Sequence, residues 1–216
     1  MVLRMILEMA QVGPIGTNAY VVGCAETHDG AIVDPGDEGR RLVLLAQTHG
    51  LKITKVLITH GHVDHVAAVA DVKKLTGATV WLHPADLPLY QTCVAQARMF
   101  GIEASEPPPP DEELSDGQIV PIGKLQARVI ATPGHSLGGV SFYLASEGVL
   151  LSGDTLFQSG IGRTDLPGGS MKELMRSIHH KLLTLPDETR VLCGHGPPTT
   201  VRMEKRANPF VLEFPP

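Results

Sequence analysis

The sequence predicts an α/β sandwich, with sheet inside and helices outside, built as one domain over residues 1–216. Three observations predict it. Short runs rich in Val, Ile and Leu end repeatedly in Gly, Pro or Asp turns. Stretches with helical spacing follow several of those turns. Both halves of the chain repeat this order of strand, turn and helix, which suggests a weak internal duplication.

Residues 2–9 and 19–24 read as strands flanking the turn "GPIGTN". "AIVDPGDEG" reads as a strand that stops at a turn. Residues 40–49 carry Leu42, Leu45 and Ala46 at helical spacing, with Gly50 as the stop. "KVLIT" is a short buried strand, and a helix is expected from about residue 64 to residue 75, ending at Gly77. "TVWLH" is a further strand, and one helix is expected over residues 84–99. The proline run in "SEPPPPDEELSDGQ" forces an extended surface crossing between the two halves. Beyond it, "QARVIATPGH", "GVSFYLA" and "GVLLSGD" are strands ending in turn chemistry. "SMKELMRSIHHKLLTL" is the clearest amphipathic helix, with Ser170 as N-cap. "RVLCGHG" is the last strand, and a short tail follows.

The bulk numbers narrow the function. Hydrophobic residues make up 43% of the 216 and charged residues 19%, which suits a globular core. Net charge is -5 and no Lys/Arg block stands out, so binding to nucleic-acid phosphates is disfavoured and a small-molecule substrate is expected. Cys24, Cys93 and Cys193 are few and far apart, which fits neither a disulfide framework nor a Cys-rich zinc site. A reducing cytoplasm is the expected location. The first residues, "MVLRMILEMAQVG", read as strand and not as a signal peptide. No window approaches the ~18 apolar residues of a membrane span. The oligomeric state is left open.

The chemistry lies in "THGHVDH", residues 59–65. His60 and His62, two apart in an extended segment, can point the same way, while Asp64 and His65 sit on the first turn of the next helix. One metal does not take all four comfortably; two adjacent metals can share them. A catalytic zinc-type site needs about three protein ligands plus water, so further ligands must come from elsewhere. His135 in "TPGHS", Asp154 in "SGDT" and His195 in "CGHG" each stand beside glycine at the end of an apolar strand. His28, His49, His83, His179 and His180 lack that context. Cys193 reads as a buried strand residue, not a ligand. Asp34 in "VDPG" reads as either a hydrogen-bond partner that orients a ligand histidine or a turn cap.

This pattern, HxHxDH followed by His, Asp and His, resembles the metallo-β-lactamase superfamily. Within it, "DPG", "THGHVDH", "TPGHS", "GDTLF", "GRTDLPGG", "TLP", "GHGPPTT" and "NPF" are similar to the short bacterial glyoxalase II-like hydrolases, along nearly the whole chain. The resemblance implies a four-layer αβ/βα sandwich. It implies that His60, His62 and His135 hold one divalent metal, that Asp64, His65 and His195 hold a second, and that Asp154 bridges them. Asp64 and Asp154 are then the carboxylates at the reacting centre. Zinc is the expected metal, with iron or manganese as alternatives for such ligands. Leu137 stands where the family commonly has Pro, and Ala67–Ala68 where Gly is usual. The chain ends at residue 216, whereas full-length glyoxalase II carries a helical C-terminal region that helps hold glutathione. Weaker contact with glutathione is therefore expected.

Two metals about 3.5–4 Å apart can hold a hydroxide between them at neutral pH, so no Ser or Cys nucleophile is needed. A thioester suits such a centre, because thiolates leave readily. The expected activity is hydrolysis of S-D-lactoylglutathione or a similar hydroxyacylglutathione. Arg163 in "GIGRTD" is the candidate contact for a substrate carboxylate, or else an ion-pair partner of Asp165. A mononuclear iron dioxygenase acting on persulfides is the alternative, since that branch shares the fold and a "GRTD" segment.

Overall fold

The computed structural model describes residues 5–101 and 104–215. The first sheet contains β1 (Met5–Val12), β2 (Thr17–Cys24), β3 (Asp29–Val33), β4 (Lys52–Leu57), β5 (Thr79–Leu82) and β6 (Glu112–Glu113), in that spatial order. The second contains β7 (Ile119–Ile122), β8 (Leu125–Ala131), β9 (Val140–Leu144) and β10 (Val149–Gly153). After the small hairpin of β11 (Leu156–Phe157) and β12 (Gly160–Ile161), it is completed by β13 (Arg190–Cys193) and β14 (Thr199–Thr200). Its spatial order is β14-β13-β10-β9-β8-β7.

The helices are α1 (Gly39–Thr48), α2 (Val63–Val66), α3 (Val69–Thr76), α4 (Leu87–Gln91), α5 (Cys93–Phe100), α6 (Met171–Ser177), α7 (Val201–Ala207) and α8 (Pro209–Glu213). Among the described residues, no helix is long and apolar enough to cross a membrane.

Alternation along the strands produces the layers. In β2, Ala19 and Val21 join the core under α1 and α3, while Tyr20, Val22 and Cys24 face the second sheet. In β9, Val140, Phe142 and Leu144 face the first sheet, and Tyr143 faces the core beneath α6. Three apolar layers thus alternate with two sheets and two helical faces, which gives the four-layer αβ/βα sandwich. Fully burying one side chain such as Phe142 contributes roughly 1.5–3 kcal/mol, so the layer between the sheets is a main source of cohesion.

Several elements depart from the sequence reading. The helix expected over residues 64–75 is two helices, α2 and α3. The Ala68 N–H turns to the Pro35 carbonyl at 3.0 Å, which interrupts the helical ladder. The helix expected over residues 84–99 is broken into a 3-10 turn at Pro84–Asp86, then α4 and α5. There the Leu89 carbonyl accepts from the Thr92 hydroxyl and the Gln96 side-chain amide. The amphipathic helix after Ser170 holds its N-cap bond to the Glu173 N–H but passes into a π-helical turn at Ile178–Leu182. The tail forms α7 and α8. Of the first expected strand, residues 2–4 lie outside the described residues, and β1 runs on to Val12.

Strand direction positions the site. β3, β4 and β5 run parallel. β8, β10 and β13 also share one direction, since β9 lies antiparallel between β8 and β10. The turns that leave the C-terminal ends of β3, β4, β8, β10 and β13 therefore meet along one edge of the sandwich. The two sheets are tied there by the Val140 N–H to the Thr59 carbonyl and the Asn18 N–H to the Gly194 carbonyl.

Candidate metal centre

The turn after β4 delivers His60 and His62, and α2 begins at once with Asp64 in its first turn and His65 beside it. The turn after β8 delivers His135, β10 leads to Asp154, and β13 leads to His195. The seven residues named from the sequence as ligands converge at one place, with His62, Asp64, His135, Asp154 and His195 lining a pocket and His60 and His65 buried behind it. His60, His62 and His135 offer donor atoms within 4.8 Å of one another, and so do Asp64, His65 and His195. Asp154 lies between the groups: Oδ2 is 3.7 Å from His135 Nε2 and 3.6 Å from His195 Nε2, and Oδ1 is 3.4 Å from His65 Nε2.

The hydrogen bonds around the rings fix where the lone pairs point. The Thr59 hydroxyl donates to Asp34 Oδ2 at 2.6 Å, so it accepts from His60 Nδ1 at 3.0 Å. His135 Nδ1 donates to the Arg163 carbonyl at 2.8 Å. The Nε2 lone pairs of His60 and His135 are left facing each other at 3.2 Å. His65 Nδ1 donates to Asp34 Oδ2 at 3.0 Å, which turns its Nε2 toward Asp154, Asp64 and His195. Asp154 Oδ1 is buried and receives no hydrogen bond. Imidazole and carboxylate acceptors converging around an unpartnered Asp154 oxygen call for a cation, so the donor set fits divalent metal. Asp34, His60 and His65 also lie close together, but Asp34 serves there as the acceptor that orients His65.

The electrostatics divide the pocket. Burial, with His135 and His65 nearby, pushes His62 down to about 3. Burial also holds His60 well below the usual imidazole range, aided by His65, His135 and His62. Burial opposes charge on His65, yet Asp154, Asp64 and Asp34 outweigh it and raise the imidazole to about 10. His195 is raised against its burial by Asp64 and Asp154. His60 and His62 are thus held neutral, while the half around His65 and His195, ringed by carboxylates, favours positive charge.

Glycine makes this crowding feasible. A Cβ on Gly194 would overlap Asp154 Oδ1 and lie 2.9 Å from His65 Cε1. Asn18 holds the same turn through bonds to the Cys193 and Gly196 carbonyls at 3.1 and 2.8 Å. Cys193 itself is buried in β13 and joins neither donor group.

The centre opens into a cleft of about 400 Å³ walled by Ile15, Phe100, Phe157, Ile161 and Leu166. Arg163 stands at this cleft in a bidentate pair with Asp165, at 2.8 and 2.7 Å, with both side chains largely exposed. Both readings of Arg163 therefore meet at one residue: it faces the cleft, and its guanidinium is already engaged.

Sequence reasoning missed Thr59, Thr17 and Asp86. Thr17 donates to Asp64 Oδ2 at 3.1 Å. Asp86 is a buried carboxylate beside a proline turn at a strand end, the same local context as Asp34 in "VDPG", and that context was its only sequence signal.

The chain is 41% identical over 209 residues to a probable metallo-hydrolase, YqgX, of Bacillus subtilis, covering 94% of this chain and 96% of that one. It is 37% identical over 203 residues to hydroxyacylglutathione hydrolase GloC of Haemophilus influenzae, covering 91% and 96%. Among solved structures, BLEG-1 B3 metallo-β-lactamase superposes with a TM-score of 0.89 at 38% identity, over 95% of this chain and 99% of that one. TTHA1623 in a di-iron-bound form superposes at 0.87 with 43% identity, over 94% and 99%. The family model of the metallo-β-lactamase superfamily matches residues 12–195, a span that begins at the end of β1 and closes on His195. The chain belongs to the metallo-β-lactamase superfamily.

Proposed function

We propose that this chain is a binuclear metal-dependent hydrolase of acyl thioesters, with S-D-lactoylglutathione or a similar hydroxyacylglutathione as substrate. The observation that carries the reading is the convergence of two donor groups on one shared carboxylate, Asp154. The 37% identity to a hydroxyacylglutathione hydrolase supports the substrate class.

In this reading His60, His62 and His135 would hold one divalent ion and Asp64, His65 and His195 the other, with Asp154 available to both. Bound there, the ions would supply a water-derived nucleophile at neutral pH and a Lewis acid for the carbonyl oxygen. The protein supplies the rest. Asp34, directly and through Thr59, keeps the ring protons of His65 and His60 on the outward nitrogens. Ile15, Phe100, Phe157, Ile161 and Leu166 shield the acyl group from water. A substrate carboxylate exchanges with Asp165 for the Arg163 guanidinium.

The cleft favours thioesters over amides. Among the described residues no Lys, Tyr, Ser or Cys lines it, and its His and Asp side chains are those assigned to metal, so an amide nitrogen would depart without a free side chain of these types to protonate it. A thiolate, whose thiol has a pKa near 8.5, leaves without one. Three buried free cysteines suit a reducing cytoplasm, which completes the proposal with a small-molecule partner.

The second reading, a single-iron dioxygenase acting on persulfides, rests on the "GRTD" segment at residues 162–165. It needs only the three-histidine group, so the closeness of Asp64, His65 and His195 favours the binuclear reading. Elemental analysis of protein purified without chelator tests the choice. Two ions per chain with thioester hydrolysis are expected. A single iron that added metal does not supplement, with oxygen consumed on glutathione persulfide, replaces this reading with the second.

A further inference from the structure

Asp86 belongs to neither donor group, yet the residue is only 1% exposed. Its polar partners are three donors. Oδ2 accepts from the Gly61 N–H at 2.9 Å and from the Ser136 hydroxyl at 2.8 Å, and Oδ1 accepts from the Gly138 N–H at 2.5 Å. A buried carboxylate is costly to desolvate and is retained only where directed donors replace water.

The donors share their neighbours. Gly61 lies between His60 and His62, while Ser136 follows His135 and Gly138 comes two residues later. Asp86 thus ties the turn after β4, in the first sheet, to the turn after β8, in the second. Those two turns deliver all three histidines of one group and no ligand of the other. The packing leaves little slack. A Cβ on Gly61 would lie 2.8 Å from Tyr90 N, and one on Gly138 would lie 2.6 Å from Asp86 N. Asp34 bonds the His65 ring and reaches the His60 ring through Thr59; Asp86 touches no ring and acts through backbone and Ser136 alone.

We propose that Asp86 is a positioning residue of the three-histidine group, where its latch between Gly61 and the Ser136–Gly138 turn sets that group's affinity for a divalent ion. The proposal rests on reading His60, His62 and His135 as a metal site.

The test titrates metal-stripped protein with Zn²⁺ against a chromogenic chelator, for the wild type, Asp86→Asn, Ser136→Ala, the double variant and His60→Ala. Asp86→Asn keeps the side-chain volume but turns one acceptor toward the donors as an NH₂. The binding class abolished in His60→Ala is expected to weaken about 10–100-fold in Asp86→Asn, with the other class unchanged. Amide exchange at Gly61 and Gly138 in the metal-free protein is expected to accelerate. Ser136→Ala is expected to weaken the same class by a smaller factor, and to add nothing in the Asp86→Asn background. Equal weakening of both classes, or unchanged affinity, overturns the positioning role. Where Asp86→Asn does not fold, Ser136→Ala decides by the same selectivity. If His60→Ala leaves both classes intact, the donor assignment itself fails; if it abolishes one that Asp86→Asn spares, only the latch fails.

Discussion

His65 Nδ1 lies 3.0 Å from Asp34 Oδ2, and that same oxygen accepts the Thr59 hydroxyl at 2.6 Å. One carboxylate oxygen therefore sets the tautomer of His65 directly and of His60 through Thr59. Asp34 adopts a φ of 51°, a left-handed conformation uncommon for a residue with a side chain. Asp34→Ala is expected to lower metal affinity or activity about 10–100-fold while the fold persists. Chelator-competition titration, with circular dichroism as the fold control, checks it.

Asp154 reaches His135 in one donor group and both His65 and His195 in the other. Asp154→Ala is expected to lower metal content at both groups and to remove nearly all hydrolysis. His180→Ala, outside the pocket, is expected to leave both unchanged. Elemental analysis and steady-state rates on the same preparations decide. Normal metal content and rate in Asp154→Ala would refute the shared-carboxylate assignment.

Gly194 carries no side chain because Asp154 and His65 occupy the space a Cβ would need. Gly194→Ala is expected to destabilise the protein by about 1–3 kcal/mol through overpacking, and to reduce metal retention as well. Denaturant unfolding and metal analysis measure the two effects.

Removal of metal should destabilise the fold. Lone pairs of His60 and His135 face each other, and Asp154 Oδ1 lacks a donor, so a cation that binds the native state alone stabilises it. At a free metal concentration of 100 Kd the gain is about 2.7 kcal/mol. Chelation is expected to lower the Tm, and stoichiometric Zn²⁺ to restore it, in thermal unfolding of one preparation.

Arg163 engages Asp165 through two hydrogen bonds, but both side chains are solvent-exposed, so the pair is exchangeable. Arg163→Ala is expected to raise KM about tenfold, some 1.4 kcal/mol, for glutathione thioesters, and much less for thioesters without carboxylates. Equal effects on both would assign Arg163 a structural role.

The sequence made the layers and the donor set legible for a physical reason. Strands buried on both faces, such as β2 and β9, appear as continuous apolar runs, and ligand-type residues beside glycine at their ends stand out. Long-range hydrogen bonds were not legible. The break between α2 and α3 depends on the Ala68 N–H reaching Pro35, and nothing in "VAAVADV" announces that partner. Asp86 is illegible for the same reason, since its meaning lies in Gly61 and Ser136, 25 and 50 residues away. The two terminal helices were read as tail because each is short, and their caps, Thr200 and Asn208, are recognisable only once the chain is seen to pack against α6.

The most direct test of the central claim is hydrolysis of S-D-lactoylglutathione by metal-stripped protein as Zn²⁺ is added back in measured equivalents, alongside a β-lactam, a phosphodiester and glutathione persulfide. Thioester hydrolysis is expected to rise to a plateau at the second equivalent. A plateau at one equivalent, or activity confined to the β-lactam, the phosphodiester or the persulfide, would contradict it.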